Sequence, residues 1–426
     1  MVIACLFIIL LALILINVPI AVALAVAGVV GLLLTEGPRA LVTVALDMYD
    51  GSTKFSLIAI PMFVLAGAIM NASGITVRLI NFVSALIGFV RGGLAMVNVG
   101  VSLFFAEISG SAVADVAALG SIMIPEMKKR GYPKEFAAAL TSSSASLAII
   151  IPPSIPMILY AVSAGTSIEQ LFVAGIAPGL LGAAGLMGVA YWFARRYNLP
   201  MEEAFNVRRL RETFIEALPT FALPVIILGG IFGGFVTATE AAGLAVLAAI
   251  VVGFWYREVD FRKLKSAMLD GGMQTAVVML LVAASVLMGG FLTRAQVPQQ
   301  MAADLLAFTD NKYVILLILN IFFLVIGFFL HSAAAIILVI PIVIPLVQGA
   351  GIDPVHFGLI VTLNLAIGQQ TPPVASVLIT ACSIARANIW EVSKVNLPFI
   401  AVLLTVLMIC TYVPAIPMFL VEYFYR

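Results

Sequence analysis

Apolar residues run along this chain in long blocks, broken at short intervals by Gly, Pro, Ser and small groups of charge. A helix that crosses a bilayer needs roughly 20 consecutive apolar residues. The blocks predict spans over 2–18, 20–35, 56–72, 93–108, 112–127, 134–150, 154–165, 170–194, 216–234, 240–255, 272–293, 313–330, 333–347, 355–368, 373–385 and 396–420. Three of these, 112–127, 154–165 and 373–385, are too short to cross alone. Each abuts a polar or Pro-containing break: Ser109-Gly110-Ser111, Pro152-Pro153-Ser154 and Thr371-Pro372-Pro373. Backbone that is not helical survives at membrane depth only where it lines a cavity or lies inside protein. Segments 37–54, 75–90, 257–270 and 295–310 mix charge with apolar residues and read as interfacial amphipathic helices.

Composition turns this pattern into a class. Of 426 residues, 63% are hydrophobic and 10% charged, with a mean hydropathy of +1.18. Soluble domains carry about 25% charge, so a water-facing surface cannot be covered. A soluble enzyme, a nucleic-acid binder and a disordered scaffold are excluded together, and a net charge of +1 offers no polyanion footprint. Cys5, Cys382 and Cys410 form neither a disulfide framework nor a zinc spacing. The first 35 residues carry no charge before Glu36. They are too long and lack the basic start of a secretory signal, so they read as two membrane spans with a turn or kink at Asn17 and Pro19. The expected fold is an all-α polytopic membrane protein.

The second half repeats the first. Ile124-Pro125 returns as Ile344-Pro345, Gly131 as Gly351, Pro152-Pro153 as Pro372-Pro373 and Pro178 as Pro398, all 220 residues on; Pro133 returns as Pro354, one residue out. With 21 prolines in 426 residues, chance would match roughly 0.3 of the six prolines between 120 and 180, and four match. Cations set the polarity. Arg91, Lys128-Lys129-Arg130, Arg195-Arg196, Arg208, Arg209 and Arg211 belong on the cytoplasmic side. Segment 92–129 then enters from the cytoplasm and returns to it as a re-entrant hairpin. Segment 134–165 crosses outward with a break, and 170–194 comes back. Arg257, Arg262, Lys263 and Lys265 put hairpin 313–347, flanked by Asp310, Lys312 and Asp353, on the opposite side, with both termini outside. The repeats are therefore inverted, with two re-entrant hairpins and two broken helices, as in alternating-access carriers. The scaffold is expected in 1–91, 166–215, 216–312 and 386–426, and the transport parts in 92–165 and 313–385.

The four breaks would meet near the midplane, where exposed carbonyls and hydroxyls suit Na⁺ and half-helix N-termini face anions. Thr141-Ser142-Ser143-Ser144 and Asn364 lie on the preceding half-helices, with Ser144 and Asn364 220 residues apart. An isolated Ser or Thr would simply bond helix to helix; the symmetry of these breaks favours a site. Asp115 and Glu107 flank the first tip as intramembrane carboxylates, although positions 335 and 327 are Ala and Gly. His331 beside Ser332 can contact substrate. Thr237 and Glu240 have capping-box spacing, and His356 after Asp353-Pro354 reads as structural. Gly229-Gly230 and Gly289-Gly290 read as close helix contacts. There is no metal-ligand spacing and no phosphate loop, so the chain is not read as an enzyme, and transport would draw on an ion gradient. A channel is the alternative of another class.

Ser109-Gly110-Ser111-Ala112-Val113-Ala114-Asp115, Met127-Lys128-Lys129-Arg130-Gly131-Tyr132, Ile150-Ile151-Pro152-Pro153-Ser154-Ile155-Pro156, Gly351-Ile352-Asp353-Pro354-Val355-His356-Phe357-Gly358 and Thr371-Pro372-Pro373-Val374 together resemble the large membrane subunit of TRAP transporters. The resemblance covers essentially the whole chain. It implies a Na⁺-coupled elevator in the bacterial inner membrane, a small membrane subunit and a periplasmic substrate-binding protein as partners, and an organic anion as substrate. Carried over by position, it implies Na⁺ ligation by Ser109, Gly110, Ser111, Ser143, Ser144 and Pro153 in one copy. In the other it implies Ser332, Asn364, Thr371 and Pro372. Substrate contacts are expected from Asp115, Ser154, His331, Gln369 and Gln370. The stretch Gly368-Gln369-Gln370-Thr371-Pro372-Pro373-Val374-Ala375-Ser376-Val377 resembles sialic-acid members more than C4-dicarboxylate members, and two glutamines suit a hydroxyl-rich sugar acid.

Overall fold

The computed structural model describes residues 6, 8–10, 12, 13, 16, 18–201 and 204–425. Cys5, Asn17 and much of the span expected over 2–18 lie outside them. The described helices are α1 (Ile20–Glu36), α2 (Leu41–Ser52), α3 (Ala59–Ala72), α4 (Ile75–Ile87), α5 (Gly93–Ser109), α6 (Ala112–Lys129), α7 (Lys134–Ala145), α8 (Ile155–Ala164), α9 (Ile168–Arg196) and α10 (Val207–Ala217). They continue with α11 (Ala238–Trp255), α12 (Phe261–Arg294), α13 (Val297–Phe308), α14 (Lys312–Phe329), α15 (Ser332–Gly349), α16 (Pro354–Gly368), α17 (Ser376–Ala385), α18 (Ile389–Tyr412) and α19 (Ala415–Tyr425). Among the described residues the only β pairing is the isolated bridge of Arg91 with Met201, as expected where each segment must satisfy its own backbone.

Helix starts follow local chemistry. The Asp353 carboxylate accepts from the Val355 and His356 amides, 2.8 and 3.2 Å, with Pro354 at the first helical position of α16. Thr237 and Glu240 form the expected capping box at α11, Ser167 caps α9 and Asn388 caps α18. His356 Nε2 donates to the Cys410 carbonyl at 2.7 Å, a structural role.

The repeat extends through the whole described chain. α5, α6, α7, α8 and α9 begin 219, 220, 220, 221 and 221 residues before α14, α15, α16, α17 and α18, while α1 precedes α11 by 218 and α4 precedes α13 by 222. Packing crosses between copies: α1 lies on α12 and α3 on its partner α11; α6 lies on α17 and α8 on α15. The crossing is antiparallel in sense. Lys128 at the end of α6 donates to the Ala385 carbonyl at the end of α17, 3.0 Å, while Tyr160 near the end of α8 donates to the Pro354 carbonyl, 2.7 Å.

Several boundaries differ from the sequence expectation. Residues 257–270 do not form a separate interfacial helix, because α12 runs unbroken from Phe261 with no Pro to stop it. The block 396–420 is two helices, since Pro414 cannot continue α18. Within 216–234 the prolines 219 and 224 leave short 3₁₀, α and π turns. Gly229 and Gly289 make no close helix contact; a Cβ there would meet nothing nearer than 4.0 Å. The intimate contact is instead between Gly327 on α14 and Gly368 on α16, where a Cβ on Gly368 would lie 2.5 Å from the Gly327 Cα. Helices α9 and α18, expected with the scaffold, pack on each other and on α5, α7, α8 and α16.

Two equivalent pairs of elements do not make equivalent contacts. α3 and α4 pack against α5, whereas their counterparts α12 and α13 pack against α15. The hairpins differ too. α5 lies alongside α6, but α14 packs on α16 and meets α15 only briefly.

Candidate functional site

The site is built at the two hairpin tips and the two helix breaks. At the first tip Gly110 takes φ +60° and Ser111 is extended, so the chain reverses in three residues; glycine meets this left-handed geometry without a Cβ penalty. The Ser109 hydroxyl donates to Asp115, one turn into α6. Asp115 is fully buried, and its second carboxylate oxygen has no partner. The Gly110 carbonyl accepts from the Ile155 amide at 3.4 Å, and a Cβ on Gly110 would lie 2.7 Å from the Pro153 carbonyl oxygen. Tip and break of the first repeat are thus one unit. The second repeat is joined likewise, with the Val374 amide donating to the Phe328 carbonyl at 3.2 Å. Both breaks carry cis Pro-Pro bonds, 152–153 and 372–373.

Between the tips and the scaffold lies a cavity of about 440 Å³. Ser109, Gly110 and Ser111 line it from the first tip, His331 and Ser332 from the second, Gln369 from the second break, and Asn71 on α3 with Gln274 on α12 from the scaffold. Gln369 is buried, and its amide nitrogen has no hydrogen-bond partner, an expensive arrangement unless a ligand completes it.

Other expected residues face elsewhere. The Ser154 hydroxyl donates to the Ile149 carbonyl at 2.7 Å and accepts from the Met157 amide at 3.4 Å, so it caps α8. Gln370 is turned away from the cavity. Its Oε1 lies 2.6 Å from the Ser143 hydroxyl, which is also 2.7 Å from Asn396 Oδ1 on α18. That knot ties the two repeats together. Ser144 accepts from the Ser102 hydroxyl at 2.9 Å and donates to Asn98 Oδ1 at 3.3 Å. Its counterpart Asn364 donates to Asn320 Oδ1 at 2.6 Å. Each pair fastens the first helix of a hairpin to the half-helix beside it; Asn364 keeps one oxygen unpartnered. Thr371 donates to the Ile367 carbonyl at 3.1 Å beside Pro372. Asn71, Asn98, Gln274, Asn320 and Asn396 escaped the sequence reading. Their signal was available, since an amide inside an apolar span needs a partner or a cavity.

A family model of the tripartite ATP-independent periplasmic transporter, DctM component, matches residues 7–416. This chain belongs to the DctM family. Among relatives of this DctM-family chain is the isethionate TRAP transporter permease protein DctMQ of Oleidesulfovibrio alaskensis, 41% identical over 95% of the chain. The chain spans 64% of that relative's length. The C4-dicarboxylate TRAP transporter large permease protein DctM of Pseudomonas aeruginosa is 38% identical over 92% of both proteins. The sialic acid TRAP transporter large permease protein SiaM of Vibrio cholerae is 36% identical over 89% of both. In fold, the chain matches the crystal structure of the Alcanivorax borkumensis YdaH transporter with a TM-score of 0.65 at 16% identity, covering 89% of each chain. Eight described helices are long and apolar enough to cross a bilayer. The DctM-family chain is accordingly a multi-pass protein of the cell inner membrane, and its relatives are permeases rather than enzymes.

Proposed function

We propose that this chain is the membrane carrier of a Na⁺-coupled, binding-protein-dependent system for uptake of an organic anion, working by an elevator form of alternating access. The observation that carries the reading is the convergence of both hairpin tips and the second break on one cavity walled by scaffold helices. The hairpins, broken helices, α9 and α18 form the body that moves; α1, α3, α11 and α12 form the frame. A small membrane subunit and a soluble periplasmic binding protein are its partners.

Sodium is the coupling ion. Its first site is drawn from Ser109, Gly110, Ser111 and the Pro153 carbonyl, and the unpartnered oxygen of Asp115 fits a hard cation better than it fits an anionic substrate. Asp115 therefore moves from the substrate group to the ion group. The second site is drawn from Ser332, Thr371, Pro372 and the unpartnered oxygen of Asn364. Substrate lies against His331, Ser332 and the free amide of Gln369.

N-acetylneuraminate is the first substrate to test, on the Gln369 amide and the sequence around it. The second reading is a C4-dicarboxylate, favoured by the relative of that name at 38% identity. Proteoliposomes holding the chain and its small subunit, with an inward Na⁺ gradient and labelled N-acetylneuraminate on its binding protein, decide this. Accumulation that needs Na⁺ and the binding protein supports ion coupling and substrate together. Accumulation of succinate alone keeps the carrier and discards the sugar acid. Equilibration that ignores Na⁺ points to a channel and discards the carrier.

A further inference from the structure

Two smaller cavities flank the central one along the line where the hairpin body meets the scaffold. The first, about 480 Å³, is lined by Asn71, Thr76, Ala114, Ala117, Ser121 and Gln274 among others. It shares Asn71, Ala114 and Gln274 with the central cavity, so the two are continuous. It lies at the cytoplasmic end: Gly74 and Arg78 sit there, with Arg78 paired to Glu258 at 3.5 Å in the basic link between α11 and α12.

The second cavity, about 220 Å³, lies between Lys54 in the link from α2 to α3, Val162 and Ser163 on α8, Ser285 on α12, and Ile337 and Pro341 on α15. No lining residue is common to it and the central cavity. It lies toward the opposite end of α12, the end at which Arg294 is held by Asp47 at 2.7 Å and Glu36 at 3.6 Å.

The repeat relates these two spaces. Ala117 corresponds to Ile337, Ser121 to Pro341 and Gln274 to Lys54, each 220 residues apart. What differs is charge: an amide stands at the inner position and an ammonium at the outer one. Lys54 is exposed, and among the described residues its ammonium has no hydrogen-bond or ion-pair partner. Arg294, on the same side, is already neutralised.

We propose that the cavity at Lys54 is the outer mouth of the substrate path, the repeat-related counterpart of the open cytoplasmic mouth at Gln274, and that the Lys54 ammonium binds the carboxylate of the incoming organic anion there. The inference rests on the transport reading above and adds direction to it. A cation at the outer mouth draws an anion in from outside. The neutral amide at the inner mouth does not hold the anion at the cytoplasmic end. In this structure the outer mouth is cut off because α12 and α13 are packed against α15, while the inner mouth stays open beside α6.

The test uses the complete transporter in proteoliposomes with its binding protein, and first establishes that the unsubstituted chain accumulates N-acetylneuraminate or succinate. Failure there overturns the transport reading and is seen before any variant is made. Lys54→Cys is then expected to raise the half-saturating concentration of that anion about tenfold, a change of ~1.4 kcal/mol. Treatment from outside with 2-aminoethyl methanethiosulfonate, which restores a cation, recovers uptake; 2-sulfonatoethyl methanethiosulfonate, which installs an anion, does not. The free anion, without binding protein, slows both modifications. The unsubstituted chain, with Cys5, Cys382 and Cys410, sets the background. Uptake indifferent to the charge at position 54 overturns the proposal. Charge dependence without protection by the free anion also overturns it, and moves Lys54 to the docking surface for the binding protein.

Discussion

Adjacent residues at the second break do different work. Gln369 presents an unpartnered amide to the cavity, whereas Gln370 is spent on Ser143 and Asn396. Gln369→Ala is expected to raise the half-saturating substrate concentration with little change in melting temperature. Gln370→Ala is expected to lower stability by ~1–3 kcal/mol, because it strands buried polar groups. Uptake kinetics and thermal unfolding of the purified chain separate the two. The sequence could name both glutamines but could not say which way each points, since their orientation follows from where α18 brings Asn396. Asp115 poses the same problem. Its charge and depth were legible, and its use was not until the Ser109 hydroxyl and an unpartnered oxygen were seen together. Asp115→Asn is expected to raise the half-saturating Na⁺ concentration at least tenfold while substrate dependence at saturating Na⁺ is little changed. Unchanged Na⁺ dependence of uptake would remove Asp115 from the ion site.

Elements are stopped and joined by residues that local rules read well. The caps at Asp353, Ser167, Asn388 and Thr237 all occur where the pattern places them. Close approach is another matter. Nothing in the sequence distinguishes Gly368, which abuts Gly327 through backbone, from Gly289, which faces open space; only the meeting of α14 with α16 does so. Gly368→Ala drives a methyl into the α14 backbone and is expected to cost ~1–3 kcal/mol by overpacking. Gly289→Ala is expected to be neutral or slightly stabilising. Thermal unfolding of the two variants side by side checks the contrast.

For the whole molecule, the unequal grip of the scaffold on the two hairpins matters most. If the repeats exchange conformations, as an elevator requires, the partner state has α12 and α13 against α14, and α3 and α4 against α6. Leu306 on α13 now touches Gly349 at the end of α15. Their repeat counterparts are Ala85 and Lys129. Cysteines at 306 and 349 are expected to cross-link in the present arrangement, and cysteines at 85 and 129 only in the other. Conditions that favour one pair should disfavour the other. Simultaneous, condition-independent cross-linking of both pairs would rule out the exchange.

The sequence by itself determined the membrane class, the inverted repeat and the positions of tips and breaks. These depend on composition, on charge bias and on prolines in register, which act locally or along the chain. Only the tertiary structure decided which amides face the cavity, which glycines touch, that α9 and α18 travel with the hairpins, and which mouth stands open. Those outcomes depend on the meeting of segments some two hundred residues apart, and two near-identical repeats can meet their scaffold in more than one way.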